Sequence, residues 1–196
     1  MKIIRKKNRA KMLVSKTKIK DVYVITPEVH EDSRGYFMES FNEREFKAQT
    51  GIDFHPVQDN ESKSSFGVLR GLHFQREPHS QAKLVRVIKG GVIDVAVDLR
   101  PDSETRGSYV AVYLSARNRR QLFIPKGFAH GFLVFDEEGA TFQYKCDDYY
   151  HPECEDGIRW DDPTINIQWP LSADEIILSE KDKSRKAYEE LKQETV

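Results

Sequence analysis

Short apolar segments, separated by glycine or proline every few residues, run through the middle of this chain. Residues 83–88 are mostly apolar, and Gly90 and Gly91 follow them. In the next segment, 92–99, every second residue is apolar on one face, from Ile93 to Leu99. Such spacing favours an antiparallel β-sandwich or barrel over alternating strands and helices. We expect residues 89–91 to form a hairpin turn.

Two stretches depart from this strand pattern. The polar segment 42–49 begins at Asn42, contains Phe46 and ends before Gly51, which predicts a short helix capped by Asn42. The tail from residue 172 onward is predicted to be helical. The fold class is therefore mainly β, with a few short helices that include a C-terminal one.

Length and charge predict one domain preceded by a basic extension. A chain of 196 residues is long enough for one full core. Residues 1–20 hold nine of the 31 basic side chains and no acidic one, so 21–196 carry 22 basic against 32 acidic groups, a net charge of −10. We assign 1–17 to a poorly ordered N-terminal extension and 18–196 to a single domain. We expect neither nucleic-acid nor membrane binding, although a basic arm could support either.

The two cysteines indicate no disulfide framework. Cys146 and Cys154 lack the spacing of a metal-binding pair, and two thiols in a chain of this length are expected to be free. Free thiols are typical of a reducing compartment, so we expect a cytoplasmic protein.

Two histidine segments suggest a site inside the barrel. Residues 125–130 have the Pro-x-Gly-x-x-His spacing of the cupin barrel, which often holds a metal. His73 would be the first ligand of the usual His-x-His pair, but Gln75 takes the second place, and Val134 stands where a further histidine is common. A metal needs three or four ligands, so we expect none at this site and favour histidine as an acid or base. The alternative is a pair of hydrogen-bonded core histidines.

Three side chains could assist such a histidine, and each has a simpler interpretation. Asp182 could orient the imidazole, but it also fits a capping box opened by Ser179. Lys83 could stabilise an enolate, or it could lie at a solvated strand edge. Tyr144 should point inward and could be only structural.

Strict alternation puts Arg70 and His73 on opposite faces of their strand. Both can serve one pocket only if the strand bulges at Gly71.

At these positions the chain resembles the dTDP-4-dehydrorhamnose 3,5-epimerase family. The resemblance extends in order over about residues 18–183 and is far more specific than one motif. The matching segments are 32–39, 68–75 (VLRGLHFQ), 81–87, 94–100, 124–132 (IPKGFAHGF), 144–150, 155–163 and 178–182.

The resemblance implies a fold, an activity and catalytic roles. It implies a cupin-type jelly-roll barrel and an isomerase that needs no cofactor. His73, paired with Asp182, would remove a proton from a carbon beside the 4-keto group of a nucleotide-linked sugar. Lys83 would stabilise the enolate, and Tyr144 would return a proton from the opposite face. C3 and C5 would both be inverted.

It also implies a binding surface and a partner chain. The positions matching substrate-binding residues of the family are Arg34, Glu39, Gln58, Asn60, Arg70, His130, Tyr150, Glu155 and Lys181, of which Tyr150 would stack on the base. Family members are homodimers whose N-terminal region reaches across to the partner. The stretch 1–17 has no counterpart in a typical member, and His30 replaces a phenylalanine that many relatives carry near the nucleotide.

Several alternatives remain open at the level of sequence. The enzyme could invert only one centre, or act on another nucleotide sugar such as a GDP-4-keto-heptose. A nucleotide-sugar binding module without activity is the non-enzyme alternative, because fold does not fix function. A metal-dependent cupin is the weakest candidate.

Overall fold

The computed structural model describes residues 12–194 and consists of thirteen strands and three α-helices over that range. The strands are β1 (Met12–Lys16), β2 (Tyr23–Pro27), β3 (Val29–Asp32), β4 (Gly35–Met38), β5 (Gln58–Ser64), β6 (Leu69–Gln75), β7 (Lys83–Lys89), β8 (Gly91–Asp98), β9 (Tyr109–Ser115), β10 (Gln121–Ile124), β11 (Phe128–Val134), β12 (Ala140–Cys146) and β13 (Glu155–Gly157). The helices are α1 (Glu43–Thr50), α2 (Glu180–Lys183) and α3 (Tyr188–Glu194), and one 3₁₀ turn spans Pro152–Cys154.

Two antiparallel sheets face each other. The six-stranded sheet has the order β1-β2-β10-β7-β12-β5, and the five-stranded sheet has the order β13-β6-β11-β8-β9. The pair β3–β4 forms a separate hairpin. The expected mainly antiparallel β architecture is confirmed. Among the described helices, none has the length and apolar character needed to cross a membrane.

Three apolar clusters hold these layers together. The central cluster lies between the sheets and contains residues of both, such as Val85 and Leu122 from one and Ala96 from the other. A second cluster lies on the other face of the five-stranded sheet, where residues 158–191 cover it. A third cluster joins α1 to the other face of the six-stranded sheet through Phe46 and Phe123, whose ring centroids are 4.8 Å apart. Both faces of each sheet are therefore partly covered.

The structure confirms the alternation expected in 92–99. Ile93, Val95, Val97 and Leu99 all belong to the second cluster. The hairpin expected at 89–91 is wrong, because β7 and β8 belong to different sheets. Gly90 has φ +74° and carries the chain across from one sheet to the other. Glycines signal the turn, but they do not specify which sheet each flanking strand joins.

The predicted helices are confirmed in part. Helix α1 has Asn42 as its N-cap, with the side chain accepting a hydrogen bond from the Glu45 amide, and it ends at Gly51 with φ +75°. In the tail, only α2 and α3 are helical. Residues before α2 are not, because the backbone of Ile177 pairs with Gly67 and Leu69 beside β6.

The N-terminal boundary also needs correction. Met12–Lys16 is ordered as strand β1, and it pairs along its whole length with β2. Met12 is buried in the third cluster. The poorly ordered extension predicted for 1–17 therefore does not include 12–16, whereas residues 1–11 lie outside the described residues.

The bulge that Arg70 and His73 require is present. In the pairing of β6 with β11, His130 lies opposite His73 and Phe132 lies opposite Arg70. Arg70 and His73 are three residues apart on β6, whereas their partners are two residues apart on β11, so β6 contains one extra residue. The extra residue rotates the strand, and Arg70 and His73 both line the same cavity. Gly71 makes the close approach possible, since an added Cβ would lie 2.5 Å from Cα of Gly131.

Substitution Gly71→Ala tests this constraint. Gly71 has φ +135° and faces backbone, so alanine is strained by its conformation and also collides with β11. We expect a loss of about 1–3 kcal/mol in the free energy of unfolding beyond the conformational cost. Gly51→Ala is the control, because Gly51 has φ +75° but nothing within 4 Å of the added Cβ. Urea unfolding measures both variants, and equal losses would contradict the argument.

Candidate active site

A cavity of about 640 Å³ opens between the two sheets. Strands of both sheets line it, together with the segment that leads into α2. Its size falls in the range of small-molecule sites. The predicted residues that line it are His73, Asp182, Lys83, Tyr144, Asn60, Arg70, His130, Tyr150, Glu155 and Lys181.

His73 and Asp182 form a hydrogen-bonded dyad in this cavity. Nε2 of His73 contacts Oδ1 of Asp182, whose side chain is only 5% exposed. Ser179 Oγ accepts a hydrogen bond from the Asp182 amide at 3.1 Å and donates one to Oδ2 at 2.8 Å. The two interpretations of Asp182 are thus compatible, since Ser179 caps α2 while the carboxylate holds the imidazole.

The dyad keeps its carboxylate ionised. Burial alone would raise the pKa of Asp182, but hydrogen bonds from His73 and Ser179 outweigh it and hold that pKa below its ordinary value. An ionised partner fixes the imidazole and stabilises its protonated form. With Nε2 engaged, the other ring nitrogen of His73 is left for proton transfer.

Lys83 lies at the start of β7, an interior strand between β10 and β12. The solvated edge considered for it is therefore wrong. Its Nζ is 5.8 Å from the centroid of the Tyr144 ring. Burial lowers the pKa of Lys83, and nearby acidic groups that include Asp94 and Glu155 partly offset this effect. The amine of Lys83 therefore lies in a poorly solvated position.

Tyr144 points inward from β12, as expected from its alternation with Phe142. Its side chain lines the cavity and packs against the central apolar cluster. Burial raises the pKa of Tyr144 to about 12, while the nearby Arg70 opposes the rise. The phenol is therefore protonated at neutral pH and can donate a proton.

A second histidine–aspartate pair lies deeper in the fold. His130 lines the cavity, and its Nε2 is 3.0 Å from Oδ2 of Asp94, with both side chains buried. Burial raises the pKa of Asp94, and the contact with His130 opposes that rise. Sequence reasoning missed Asp94. The available signal was a carboxylate within an otherwise apolar strand, where an acidic side chain needs a partner.

Glu155 contacts two cationic side chains and a phenol at one wall of the cavity. It accepts hydrogen bonds from Lys181 at 2.7 Å, Arg185 at 2.5 Å and Tyr150 at 2.6 Å. Burial disfavours its ionised form, but these contacts outweigh it and lower the pKa of Glu155 to about 2. Arg185 was not foreseen, and nothing in its spacing distinguishes it from other basic residues of the tail.

Three predicted binding residues do not line the cavity. Gln58 stands behind it, donating to Oδ1 of Asn60 at 3.0 Å and accepting from the Tyr150 amide at 3.0 Å. Arg34 is 88% exposed on the β3–β4 hairpin and pairs with Asp32. Glu39 follows the same hairpin. A single chain therefore does not bring Arg34 and Glu39 to the other site residues.

Gln75 has a structural role at the position where a metal ligand was considered. Its side chain donates to the carbonyls of His79 at 2.6 Å and Tyr149 at 3.1 Å, and accepts from the His151 amide at 2.7 Å. These contacts join the segment after β6 to the segment that carries Tyr150.

His73 with Asp182, Lys83 and Tyr144 suit proton transfer next to a carbonyl. A histidine with an ionised carboxylate partner, a half-buried lysine amine and a protonated phenol share one cavity. They supply a base, a hydrogen-bond donor for an enolate oxygen and an acid.

Known proteins are similar in sequence over nearly the whole chain. A family model described as dTDP-4-dehydrorhamnose 3,5-epimerase matches residues 16–190. The enzyme of that name from Methanothermobacter thermautotrophicus is 55% identical over 176 residues, covering 89% of this chain and 94% of its own.

Solved structures agree with the sequence matches. The crystal structure of dTDP-4-dehydrorhamnose 3,5-epimerase from Elizabethkingia anophelis has a TM-score of 0.89 at 50% identity, covering 92% of this chain and 98% of its own. The dTDP-6-deoxy-D-glucose-3,5-epimerase of Legionella pneumophila, in complex with dTDP-4-keto-L-rhamnose, has a TM-score of 0.89 at 46% identity, with 94% and 97% coverage. The expected cupin-type fold is confirmed. On its sequence and its fold, this chain belongs to the dTDP-4-dehydrorhamnose 3,5-epimerase family.

Proposed function

We propose that the protein is an isomerase that inverts C3 and C5 of dTDP-4-dehydro-6-deoxyglucose to give dTDP-4-dehydrorhamnose. The observation that carries the proposal is the His73–Asp182 dyad, which shares one cavity with Lys83 and Tyr144. Family membership supports the same reaction. The substrate is the nucleotide sugar, and the reaction needs no cofactor because a 4-keto group already acidifies the neighbouring C–H bonds.

In the first step, His73 takes the proton from the carbon beside the ketone. The electron pair of that C–H bond moves into the enolate, and the charge develops on the former carbonyl oxygen. Lys83 donates a hydrogen bond to this oxygen, and its desolvated position strengthens the interaction. Asp182 stabilises the imidazolium that forms.

In the second step, Tyr144 donates its proton to the carbon from the face opposite His73. Delivery to that face inverts the centre, whereas return from His73 would restore the starting sugar. The raised pKa of Tyr144, about 12, keeps the phenol protonated until the basic enolate carbon accepts the proton. His73 then releases its proton to solvent and Tyr144 regains one from solvent, so that the same base and acid serve both carbons in turn.

The substrate is held by residues around these four groups. We place the ring of Tyr150 against the base and the cations Arg70 and Lys181 near the diphosphate, because all three line the cavity. Gln58 supports Tyr150 and Asn60 from behind. His130 contacts the sugar, and Glu155 holds Lys181 in place.

We further infer a homodimer in which the β3–β4 hairpin exchanges between chains. The hairpin presents Tyr36 and Phe37 with 57% and 70% of their surface exposed. Exposed aromatic side chains of this size suit an interface. The exchange would bring Arg34 and Glu39 to the partner's cavity, which explains their distance from the cavity of their own chain. The two free cysteines support a cytoplasmic location.

Incubation with the keto sugar nucleotide in heavy water tests the chemistry. We expect deuterium at C3 and C5 by NMR, and the variant His73→Asn should lose about 10²–10⁴-fold in kcat while it still binds dTDP. His55→Gln is the control, since His55 is an exposed histidine that pairs with Glu43. Exchange at neither carbon with folded enzyme would refute the proposal. Exchange at one carbon would instead identify a mono-epimerase.

Tyr144→Phe separates deprotonation from inversion. The variant keeps His73, so it should still exchange substrate protons with solvent, while formation of the inverted sugar falls by about 10²-fold or more. Tyr150→Phe is the comparison, because it removes a hydroxyl that contacts Glu155 and should raise KM more than it lowers kcat. Unchanged inversion in Tyr144→Phe would assign the acid to another residue.

Turnover of only a GDP-linked sugar would change the proposed substrate but not the proposed mechanism.

Mixing two inactive variants tests the exchanged hairpin. Arg34→Ala lacks a residue that we place in the partner's site, and His73→Asn lacks the base of its own site. After subunit exchange, mixed dimers should regain activity, since one of their two sites is then complete. Light scattering gives the oligomeric state. A monomer, or a dimer whose mixture stays inactive, would contradict the exchange but leave the catalytic roles intact.

A further inference from the structure

A second group of histidines lies outside the catalytic cavity. The rings of His79 and His151 stack with centroids 3.4 Å apart and an interplanar angle of 11°. Nδ1 of His79 is 3.2 Å from Oδ2 of Asp148. One ligand atom from each of these three side chains lies within 4.8 Å of the other two. None of the three lines the cavity.

The backbone around this group is held in place by two glutamines. Gln75 joins the backbones of His79, Tyr149 and His151 through its amide, as described above. Gln81 donates to the carbonyl of Asp148 at 2.8 Å. The two imidazoles and the carboxylate are therefore brought together by their scaffold as well as by their own contacts.

The charges of the group suit a cation. Asp148 accepts a hydrogen bond from the Tyr149 amide at 2.7 Å on Oδ1, while Oδ2 faces His79, so the carboxylate is held in place beside the two imidazoles. Nδ1 of His151 is 2.9 Å from Oε1 of Glu153. A carboxylate on one ring nitrogen is the usual outer partner of a metal-binding histidine, whose other nitrogen binds the ion.

We propose that His79, Asp148 and His151 form a site for one divalent transition-metal ion of the zinc class. Imidazole and carboxylate ligands suit zinc, nickel and copper. Ligand atoms at about 2.0–2.1 Å from a tetrahedral zinc lie roughly 3.4 Å from one another. The contact between His79 and Asp148, at 3.2 Å, already matches that spacing. His151 joins once its ring turns out of the stack with His79, because a metal ion lies in the plane of each imidazole that binds it. Glu153 orients His151, and water completes the coordination.

The ion would act on substrate binding and not on the chemistry. It would add a second link, besides that through Gln75, between the segment after β6 and residues 148–151. Tyr150, which belongs to residues 148–151, lines the cavity. Fixing this segment orders Tyr150 before the nucleotide arrives, which reduces the entropy lost on binding. Metal occupancy should therefore lower KM, with kcat unchanged.

Cobalt titration tests the site directly. The full-length protein, without a polyhistidine tag and freed of metal by a chelator, is titrated with Co²⁺, whose visible absorption reports coordination, and zinc is then used in competition. We expect one equivalent bound. His79→Gln and His151→Gln should each weaken binding by more than about 100-fold, and Glu153→Gln by about 10–100-fold. His55→Gln should bind as the unmodified protein does, because its neighbour is a single carboxylate.

Two further measurements keep the result decisive. Epimerase turnover in chelator shows that each variant is folded, since none of these residues belongs to the catalytic cavity. X-ray absorption of the zinc-loaded unmodified protein should show two imidazole ligands, and this holds even if a variant fails to fold. Absence of saturable binding, absence of imidazole scattering, or binding unchanged in both histidine variants would overturn the proposal.

Discussion

The contact between Gly71 of β6 and Gly131 of β11 is the constraint on which the site depends. Two strands can approach this closely only where neither carries a side chain, and a Cβ at Gly71 would meet backbone at 2.5 Å. The approach accompanies the extra residue on β6 that turns Arg70 and His73 toward one cavity. A strand with regular alternation would have placed one of them on the outer apolar face.

Ionisable groups in and beside the cavity have specific partners. Asp182 is paired with His73, Asp94 with His130, and Glu155 with two cations and a phenol. Each pairing reduces the cost of removing a charge from water. Lys83 is the contrasting case, because burial lowers its pKa and the nearby acidic groups only partly compensate. The ammonium form of Lys83 would gain its full stabilisation only from a developing negative charge.

Local sequence signals predicted the local structure well, and long-range pairing was harder. Asn42 and Gly51 defined helix α1 because a cap and a left-handed residue act within one turn. The bulge at Gly71 followed from the demand that Arg70 and His73 share a pocket. Gly90 was misassigned because its conformation is local, while the choice of sheet depends on residues far away in sequence. Arg185 was missed because it is recognisable only beside its partner Glu155. Asp94 was missed although a carboxylate in an apolar strand calls for a partner, because the sequence does not show that this partner is His130.

The crossing at Gly90 has a consequence for the spacing of the two sheets. Lys83 on β7 and Asp94 on β8 belong to opposite sheets, although a single glycine joins the two strands. The connection is one residue long, and it is closely packed, because a Cβ at Gly90 would lie 1.9 Å from the carbonyl oxygen of Gly139. Gly90 therefore fixes how closely the two sheets approach each other where β7 ends and β8 begins. An inserted residue at this point would be expected to disturb the packing of both sheets, whereas the cavity walls near Lys83 lie at the other end of β7.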